Sequence, residues 1–362
     1  MVGNVTYLAK EIEDYDPINT TIFSFGGTIK ASFYDKYGFY IKGTNGNYKG
    51  NRDLALSYDG LKYNYKVNMN QSYESANTYF DETEGYIFAD FNNAKIKIGR
   101  DRMLLGYGVQ KAILSENPPP LDYIMFNLKY SIFNFTYIHS KLLDIPTSYG
   151  DSISGEMHHL DEKYFVYHRF GIDLSKHLKF GLGEIIIYGN RSFDLSYFNP
   201  FNFYKSIEHI NQDRDNSMLF FDITNNSFNG IRPFLTFLID DIDFGKIGSG
   251  WYGNQTMLDA GIIFTPFYDK LSLKTIIEYT RIEPYFYTHR IPYNNFSSLG
   301  YGLSSINEPN TENFTLKIDY SFSDIISFNF MYVYNKHGEN VYDENGNLIK
   351  NVGGNLNYGY RV

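Results

Sequence analysis

The sequence predicts an all-β protein: a transmembrane, up-and-down antiparallel β-barrel of about 18 strands, with short periplasmic turns and long extracellular loops. Three observations carry this. Apolar and polar residues alternate with period two. Short turns and long polar loops succeed one another in a steady rhythm. Aromatic residues reach 19% in a chain with no long apolar run.

The alternation is clearest at Leu61, Tyr63, Tyr65, Val67 and Met69, which point one way while Lys62, Asn64, Lys66 and Asn68 point the other. Leu316, Ile318 and Tyr320 alternate with Lys317 and Asp319. In Leu219-Phe220-Phe221-Asp222-Ile223 one face is wholly apolar and the other carries Asp222. A helix, with a period of 3.6, would not hold such patterns on one side.

The turns fall near Asp35-Lys36, Asp59-Gly60, Asn92-Asn93, Ser131, Ser175-Lys176, Asn229-Gly230, Asp269-Lys270 and Ser323-Asp324. Longer loops lie near residues 44–52, 70–85, 101–121, 143–163, 189–216, 241–256, 283–311 and 337–353. The segments between are roughly 7 to 12 residues, the length of a tilted strand crossing a bilayer. A soluble sandwich has shorter strands, about 5–6 residues, and mixes its loop lengths. The count is about seventeen strands, the last beginning near Gly354. Single-chain barrels have even numbers, so a further strand is expected beyond Val362. The whole of 1–362 reads as one barrel domain, with 1–20 as an N-terminal lead-in.

The aromatics, 35 Tyr and 31 Phe against one Trp, have two sources. An AT-rich genome enriches Tyr, Phe, Asn, Lys and Ile together, and aromatic girdles line both interfaces of a barrel. The net charge of −9, without a basic stripe, argues against nucleic-acid binding, which needs clustered Lys and Arg. No run of about 18 apolar residues exists to form a membrane helix; the densest is Ile185-Ile186-Ile187-Tyr188. Without cysteine there is neither a disulfide framework nor a thiolate metal site. No leader peptide is legible, so an outer-membrane destination expects a mature or trimmed chain.

Two loops stand out. The first runs from Gly99 to Gly108 and on to Ser115-Glu116-Asn117-Pro118-Pro119-Pro120. Its three prolines form a stiff rod, and its glycine hinges would let it fold into the barrel and restrict the lumen. The second runs from Gly181 to Asn216. It carries Arg191, then Tyr197-Phe198-Asn199-Pro200-Phe201-Asn202-Phe203-Tyr204, then Asp213-Arg214-Asp215-Asn216. Facing rings and planar polar groups suit a sugar: rings cover C–H faces while amides, carboxylates and guanidinium bond hydroxyls. The competing reading is a loop whose rings pack on one another.

Asp222 and Asp240 sit on strands with apolar opposite faces and should point into the lumen, where a buried carboxylate needs a partner. Arg100, Arg102, Arg169, Arg214 and Arg232 are the candidates. Glu184 shares parity with Leu178, Phe180 and Leu182, which aims it at lipid unless a bulge at Gly183 turns it inward. Trp251-Tyr252 and Tyr285-Phe286-Tyr287 read as girdle anchors. His158-His159, with Glu156 and Asp161, is too loosely spaced for a metal motif, and no metal or cofactor is expected. No nucleophile elbow or phosphate loop appears.

The chain resembles the Wzi-type capsule-assembly family. The resemblance rests on Gly99-Arg100 through Gly106-Tyr107-Gly108, with Leu114-Ser115-Glu116-Asn117-Pro118. It rests also on His168-Arg169, on Gly181-Leu182-Gly183-Glu184 with Tyr188-Gly189, on Tyr197 through Asn202, on Asp213-Arg214-Asp215-Asn216 and on Asp240-Asp241. It covers roughly residues 95–245 and implies a barrel of about eighteen strands that acts as a lectin, holding capsular polysaccharide without catalysis. One departure is Met103-Leu104-Leu105, where capsule-binding relatives carry more tryptophan; both ends also look shortened.

The expectation is therefore an outer-membrane protein, non-enzymatic and monomeric, whose partners are membrane lipid, lipopolysaccharide and surface polysaccharide. Loops 189–216, 101–121 and 283–311 would grip the glycan, through Arg191, Tyr197, Asn199, Phe201, Asn202, Tyr204, Arg214 and Asn216. Arg100, Arg102, Glu184, Asp213, Asp222 and Asp240 would form a polar network in the lumen. Because the chain is acidic, either Lys111, Arg191, Lys205 and Arg290 attract an anionic glycan or the glycan is neutral. The main alternative is a porin-like channel for sugars or small solutes, which a lumen filled by loop 101–121 would oppose. An outer-membrane lipase or deacylase would need Ser, His and an acid at the rim, and a soluble β-protein would stay in solution without detergent.

Overall fold

The computed structural model describes residues 2–11, 17–63, 79–145, 147–151, 155–159, 161–212, 214–249, 251, 253–266, 272–305, 307–323 and 325–356. The chain forms two compact units, Met1–Asp101 and Arg102–Val362.

The first unit is an antiparallel meander of β1 (Val2–Lys10), β2 (Ile18–Phe33), β3 (Tyr37–Gly50), β4 (Tyr79–Asp90) and β5 (Ala94–Asp101), each paired with the next. Two short helices follow β3: α1 (Arg52–Leu56) and α2 (Asp59–Lys62). Asn51 caps α1, its side-chain oxygen accepting from the Leu54 N–H at 2.9 Å. Ala55 and Leu61 are fully buried against Ile22, Tyr48 and Phe80. This corrects the strand expected to begin at Leu61. The burial of Leu61 fixes the start of that segment as helix, because tertiary packing overrides a short local alternation. Residues 64–69 lie outside the described residues.

The second unit is a ten-stranded meander with small excursions. Its first strands are β6 (Leu121–Tyr130) and β7 (Phe133–Leu143), followed by a side hairpin, β8 (Thr147–Asp151) with β9 (Gly155–His159). Then come β10 (Glu162–Asp173) and β11 (Leu178–Gly189), the helices α3 (Leu195–Phe198) and α4 (Tyr204–Ile210), and β12 (Asn216–Asn225), β13 (Ile231–Asp241), β14 (Gln255–Phe264) and β15 (Ser272–Ile282). The two-residue strands β16 (Ser297–Ser298) and β17 (Tyr301–Gly302) precede β18 (Thr311–Ser321) and β19 (Ser327–His337). A last small hairpin joins β20 (Val341–Tyr342) to β21 (Leu348–Lys350). The main strands pair in the order β6-β7-β10-β11-β12-β13-β14-β15-β18-β19.

The expected turns at Asp35-Lys36, Asn92-Asn93, Ser131, Ser175-Lys176 and Asn229-Gly230 are found, whereas Asp59-Gly60 opens α2 and Asp269-Lys270 lies outside the described residues. Asp35 (φ 54°), Asn92 (φ 65°) and Ser131 (φ 55°) turn the chain in the left-handed region between paired strands, and Gly230 (φ 71°) does so before β13. Among the described residues the two meanders hold fifteen main strands, five and ten, against about seventeen expected. The segments flanking Asp59-Gly60 account for two of the expected strands. β1 was expected to be lead-in but pairs with β2 along its whole length. The strand expected from Gly354 runs into residues 357–362, outside the described residues.

Each strand of the second unit has two different faces. On β15, Ile276, Glu278 and Thr280 are buried while Ile277 and Tyr279 are exposed. We call the first face inner because loops 102–120 and 283–305 fold against it. There Phe165, Ile185, Met218, Leu238 and Met257 pack with Ala112, Ile113 and Leu114 from one loop and Phe286, Tyr287, Phe296 and Leu303 from the other. Tyr285-Phe286-Tyr287 are therefore interior packing, not a girdle; Tyr287 even hydrogen-bonds Ser304, at 3.1 Å. The long loop folds back and buries rings that local composition alone would leave at an interface.

Candidate functional site

On the inner face Arg169 and Asp222 form a two-armed ion pair, Nε–Oδ2 at 2.7 Å and Nη2–Oδ1 at 2.8 Å. Arg169 also donates to Asn134 Oδ1 at 2.9 Å, and the Tyr107 hydroxyl donates to Asp222 Oδ1 at 2.8 Å. Gly171 and Gly181 supply the room, since a Cβ on either would collide with this guanidinium and its partners.

Tyr107 belongs to loop 102–120, which a second carboxylate anchors. Glu278 accepts from the Val109 N–H at 2.7 Å and the Gln110 N–H at 3.1 Å. Just before them, Gly108 has φ +61°, and a Cβ there would fall 2.1 Å from Glu278. Gln110 then links Asn313, Thr315, Ser305 and Asn307, and the Ser115 N–H reaches the Leu303 carbonyl at 2.8 Å. The loop is locked down over the inner face. It is not a free arm for gripping a ligand.

Loop 190–215 does the opposite: it folds over the outer face. Asp222 pairs across the sheet with Gly181, and Glu184 is three residues further along β11, hence on the other side. No register shift interrupts β10–β11, so there is no bulge at Gly183. Glu184 therefore does not join the network of Asp222. It is nevertheless buried, because the loop covers it. Its carboxylate accepts from the Tyr204 N–H at 2.8 Å and the Lys205 N–H at 3.2 Å, at the start of α4, and lies 3.0 Å from His168 Nε2. His168 Nδ1 reaches the Pro200 carbonyl at 3.0 Å, and Tyr204 stacks on the His168 ring at 4.3 Å.

The same loop is pinned at its other end. Arg191 forms a two-armed pair with fully buried Asp215, both contacts at 2.7 Å, and touches Asp194 at 3.2 Å. The Tyr197 hydroxyl donates to Asp215 at 2.7 Å. Burial opposes the charge on Arg191, but the Asp215 contact outweighs it and holds the guanidinium charged. Burial, with Asp215 alongside, pushes the Tyr197 hydroxyl up.

The residues expected to bind glycan thus divide. Arg191, Tyr197 and Tyr204 hold the loop to the wall. Asn199 and Asn202 bond each other at 3.0 Å and the loop backbone, and Phe201 stacks on Phe135 at 5.1 Å. Arg214 is exposed; Asn216 is buried, its amide donating to the Asn294 carbonyl at 3.0 Å. Of the expected inner network, Arg102 instead donates to the Glu116 carbonyl at 3.0 Å, Arg100 is on β5 in the other unit, and Asp213 lies outside the described residues. Asp240 is at a register shift between Ile239 and Asp241, which takes it out of line with Asp222. The side chains of Glu156, His158 and His159 are also outside the described residues, as is Tyr252.

Between α4, the start of β12, the end of β13 and loop 288–290 lies a cavity of about 570 Å³. Its charges are mixed: Lys205, His209 and Arg290 against Glu208, Asp215, Asp240 and Asp241. Two amides line it, and among the described residues neither Gln255 Nε2 nor Asn216 Oδ1 has a hydrogen-bond partner, though both are buried. Sequence reading singled out Asn216 and Asp241 but missed Gln255 and His289, which lie on β14 and a loop. It also missed Glu278 and Asp259 on the inner face, where the signal that marked Asp222, an acid in an apolar strand, would have found them.

A meander of membrane-length strands, with loops folded onto both faces of its wall, defines the class: an outer-membrane β-barrel protein. Within that class the chain belongs to the capsule assembly protein Wzi family, whose model matches residues 16–357. In structure it is similar to Wzi of Escherichia coli, described as an outer-membrane protein involved in group 1 capsule assembly and a carbohydrate-binding β-barrel. That match has a TM-score of 0.58 and 14% identity, over 92% of this chain and 69% of that one. It is also similar to OccK5 (OpdH) of Pseudomonas aeruginosa, with a TM-score of 0.49 and 11% identity, over 93% and 80%. No curated protein sequence matches the chain.

Proposed function

We propose that this protein binds surface polysaccharide at the cell exterior and holds it there without chemical change, and that it does so in the cavity between α4 and loop 288–290. The carrying observation is the pair of buried, unpartnered amide groups on that cavity, Gln255 Nε2 as donor and Asn216 Oδ1 as acceptor. A buried polar atom without a partner costs free energy, and adjacent sugar hydroxyls, each both donor and acceptor, would satisfy the two. The mixed charges around them favour a neutral or weakly charged glycan over a polyanion, in keeping with the net charge of −9. Family membership and the carbohydrate binding named for the Escherichia coli relative support the reading. We further propose that it works as a monomer beside lipopolysaccharide. An open channel for sugars draws no support from an inner face occupied by loop 102–120.

The test is retention of purified surface polysaccharide by the protein in bilayers. Gln255→Ala and Asn216→Ala should each weaken binding roughly tenfold, about 1.4 kcal/mol, while Arg214→Ala leaves it nearly unchanged. Equal binding by all three variants would move the glycan elsewhere.

A further inference from the structure

The segment 191–212 raises a question that carbohydrate binding does not answer. It covers the outer face of β7, β10 and β11, yet it turns large apolar side chains away from them. Leu195, Phe203 and Ile210 are 75%, 76% and 80% exposed, while Phe198 and Phe201 each meet a ring of β7 and are otherwise exposed. The opposite side of the segment is satisfied by the wall: Tyr197 and Tyr204 are fully buried, and Glu184 and His168 lie beneath.

We propose that segment 191–212 is a membrane-embedded element that lies in the outer leaflet and presents these side chains to the acyl chains of its lipids. The argument is continuity with the lipid-facing surface of the strands. Phe201 stacks on Phe135, Phe135 meets Phe170 at 4.7 Å, and Phe170 faces Leu182 across β10–β11. Phe170 and Leu182 are exposed on the outer face, as is Ile223 on β12. That face meets hydrocarbon in this class of protein. The apolar surface of the strands thus runs directly into that of the segment.

The wall explains why a cover is needed there. Above Leu182 the outer face of β11 carries Glu184 and Tyr188, with His168 beside Glu184 on β10 and His139 on β7, and His139 Nε2 lies 3.0 Å from the Tyr188 hydroxyl. Bare to hydrocarbon, a carboxylate and two imidazoles would be costly. The segment supplies partners for Glu184 and His168 through the backbone at Pro200, Tyr204 and Lys205, covers His139 with the Phe193 ring at 4.6 Å, and offers its own apolar side to the lipid instead. Its polar groups, Asp194, Asn199, Asn202 and Lys205, suit an element at the boundary between headgroups and acyl chains. The segment's α4 also lines the glycan cavity, through Lys205, Glu208 and His209, but the proposal rests on the apolar side chains it turns outward, not on glycan binding.

Depth-dependent fluorescence quenching tests it. The chain has one tryptophan, Trp251, so a Trp251→Phe background is silent. Into it go Phe203→Trp, with Leu182→Trp as the lipid standard and Tyr342→Trp as the water standard. Each is reconstituted in bilayers with brominated acyl chains, and Ile210→Trp replaces Phe203→Trp if the latter fails to fold. Quenching by brominated lipid within about twofold of the lipid standard, with protection from aqueous iodide, is the expected result. Iodide quenching equal to the water standard would overturn the proposal. So would emission insensitive to both quenchers, which would put a protein partner or a second copy on this face.

Discussion

Arg169 and Asp222 meet through two parallel contacts of 2.7 and 2.8 Å on the inner face, 53 residues apart in the chain. The Tyr107 hydroxyl closes over the same carboxylate, so the pair joins β10 and β12 to loop 102–120. Removing one partner of a buried pair leaves an uncompensated charge, which costs about 3 kcal/mol or more. Asp222→Ala should lower stability by that amount, read as an earlier urea transition of the protein in micelles. Adding Arg169→Met should recover part of the loss. A single variant as stable as the parent would mean that the pair contributes nothing.

The anchoring of loop 102–120 by Glu278 makes a second prediction. Gly108 sits against this carboxylate with a backbone that disfavours side chains, so Gly108→Val should lift the loop. In planar bilayers the parent should be closed or nearly so, and the variant should show frequent openings. A parent that conducts steadily would restore the channel reading.

Arg191→Ala should release the outer loop. Asp215 is fully buried, and the same arithmetic gives a local cost of about 3–5 kcal/mol. Limited proteolysis should then cut within residues 191–212 at concentrations that leave the parent intact. Glu184→Ala should act in the same direction at the other end of the loop, by stripping the Tyr204 and Lys205 amides of their acceptor.

A pH dependence follows from His289 on the wall of the cavity. Burial lowers its pKa to about 4; the Ile291 backbone and Asp215 work against this, while Arg290 and Lys205 add to it. The unfolded value is about 6.5. Between these values the unfolded segment binds a proton that the folded one does not, so stability rises with pH there. The contribution is complete above about pH 6.5 and lost as pH falls toward 4. Hydrogen exchange of residues 283–305 should accelerate over that window, and His289→Gln should flatten the response.

How much of this was legible in the sequence differs from residue to residue. The turns at Asp35, Asn92 and Ser131 were readable because left-handed positions select residue types locally. The inward carboxylate at Asp222 was readable because a two-residue period fixes its face once the neighbours are apolar. Leu61 misled because a few alternating residues fit a helical turn as well as a strand, and only burial against Ile22 decides. For Glu184 the parity was right and pointed outward; what the sequence could not show was the cover.

By itself, then, the sequence determined the strand rhythm, the hairpin plan, the membrane class and the family pattern, because these depend on local period and turn chemistry. Only the tertiary structure decided that one long loop turns inward onto Glu278 while the next turns outward over Glu184. It also decided that most of the aromatic motif expected to hold sugar pins a loop to the wall, and that Gln255 and Asn216 face one cavity. Those outcomes depend on which distant surfaces a loop meets, and no period along the chain encodes a contact between residues far apart in it.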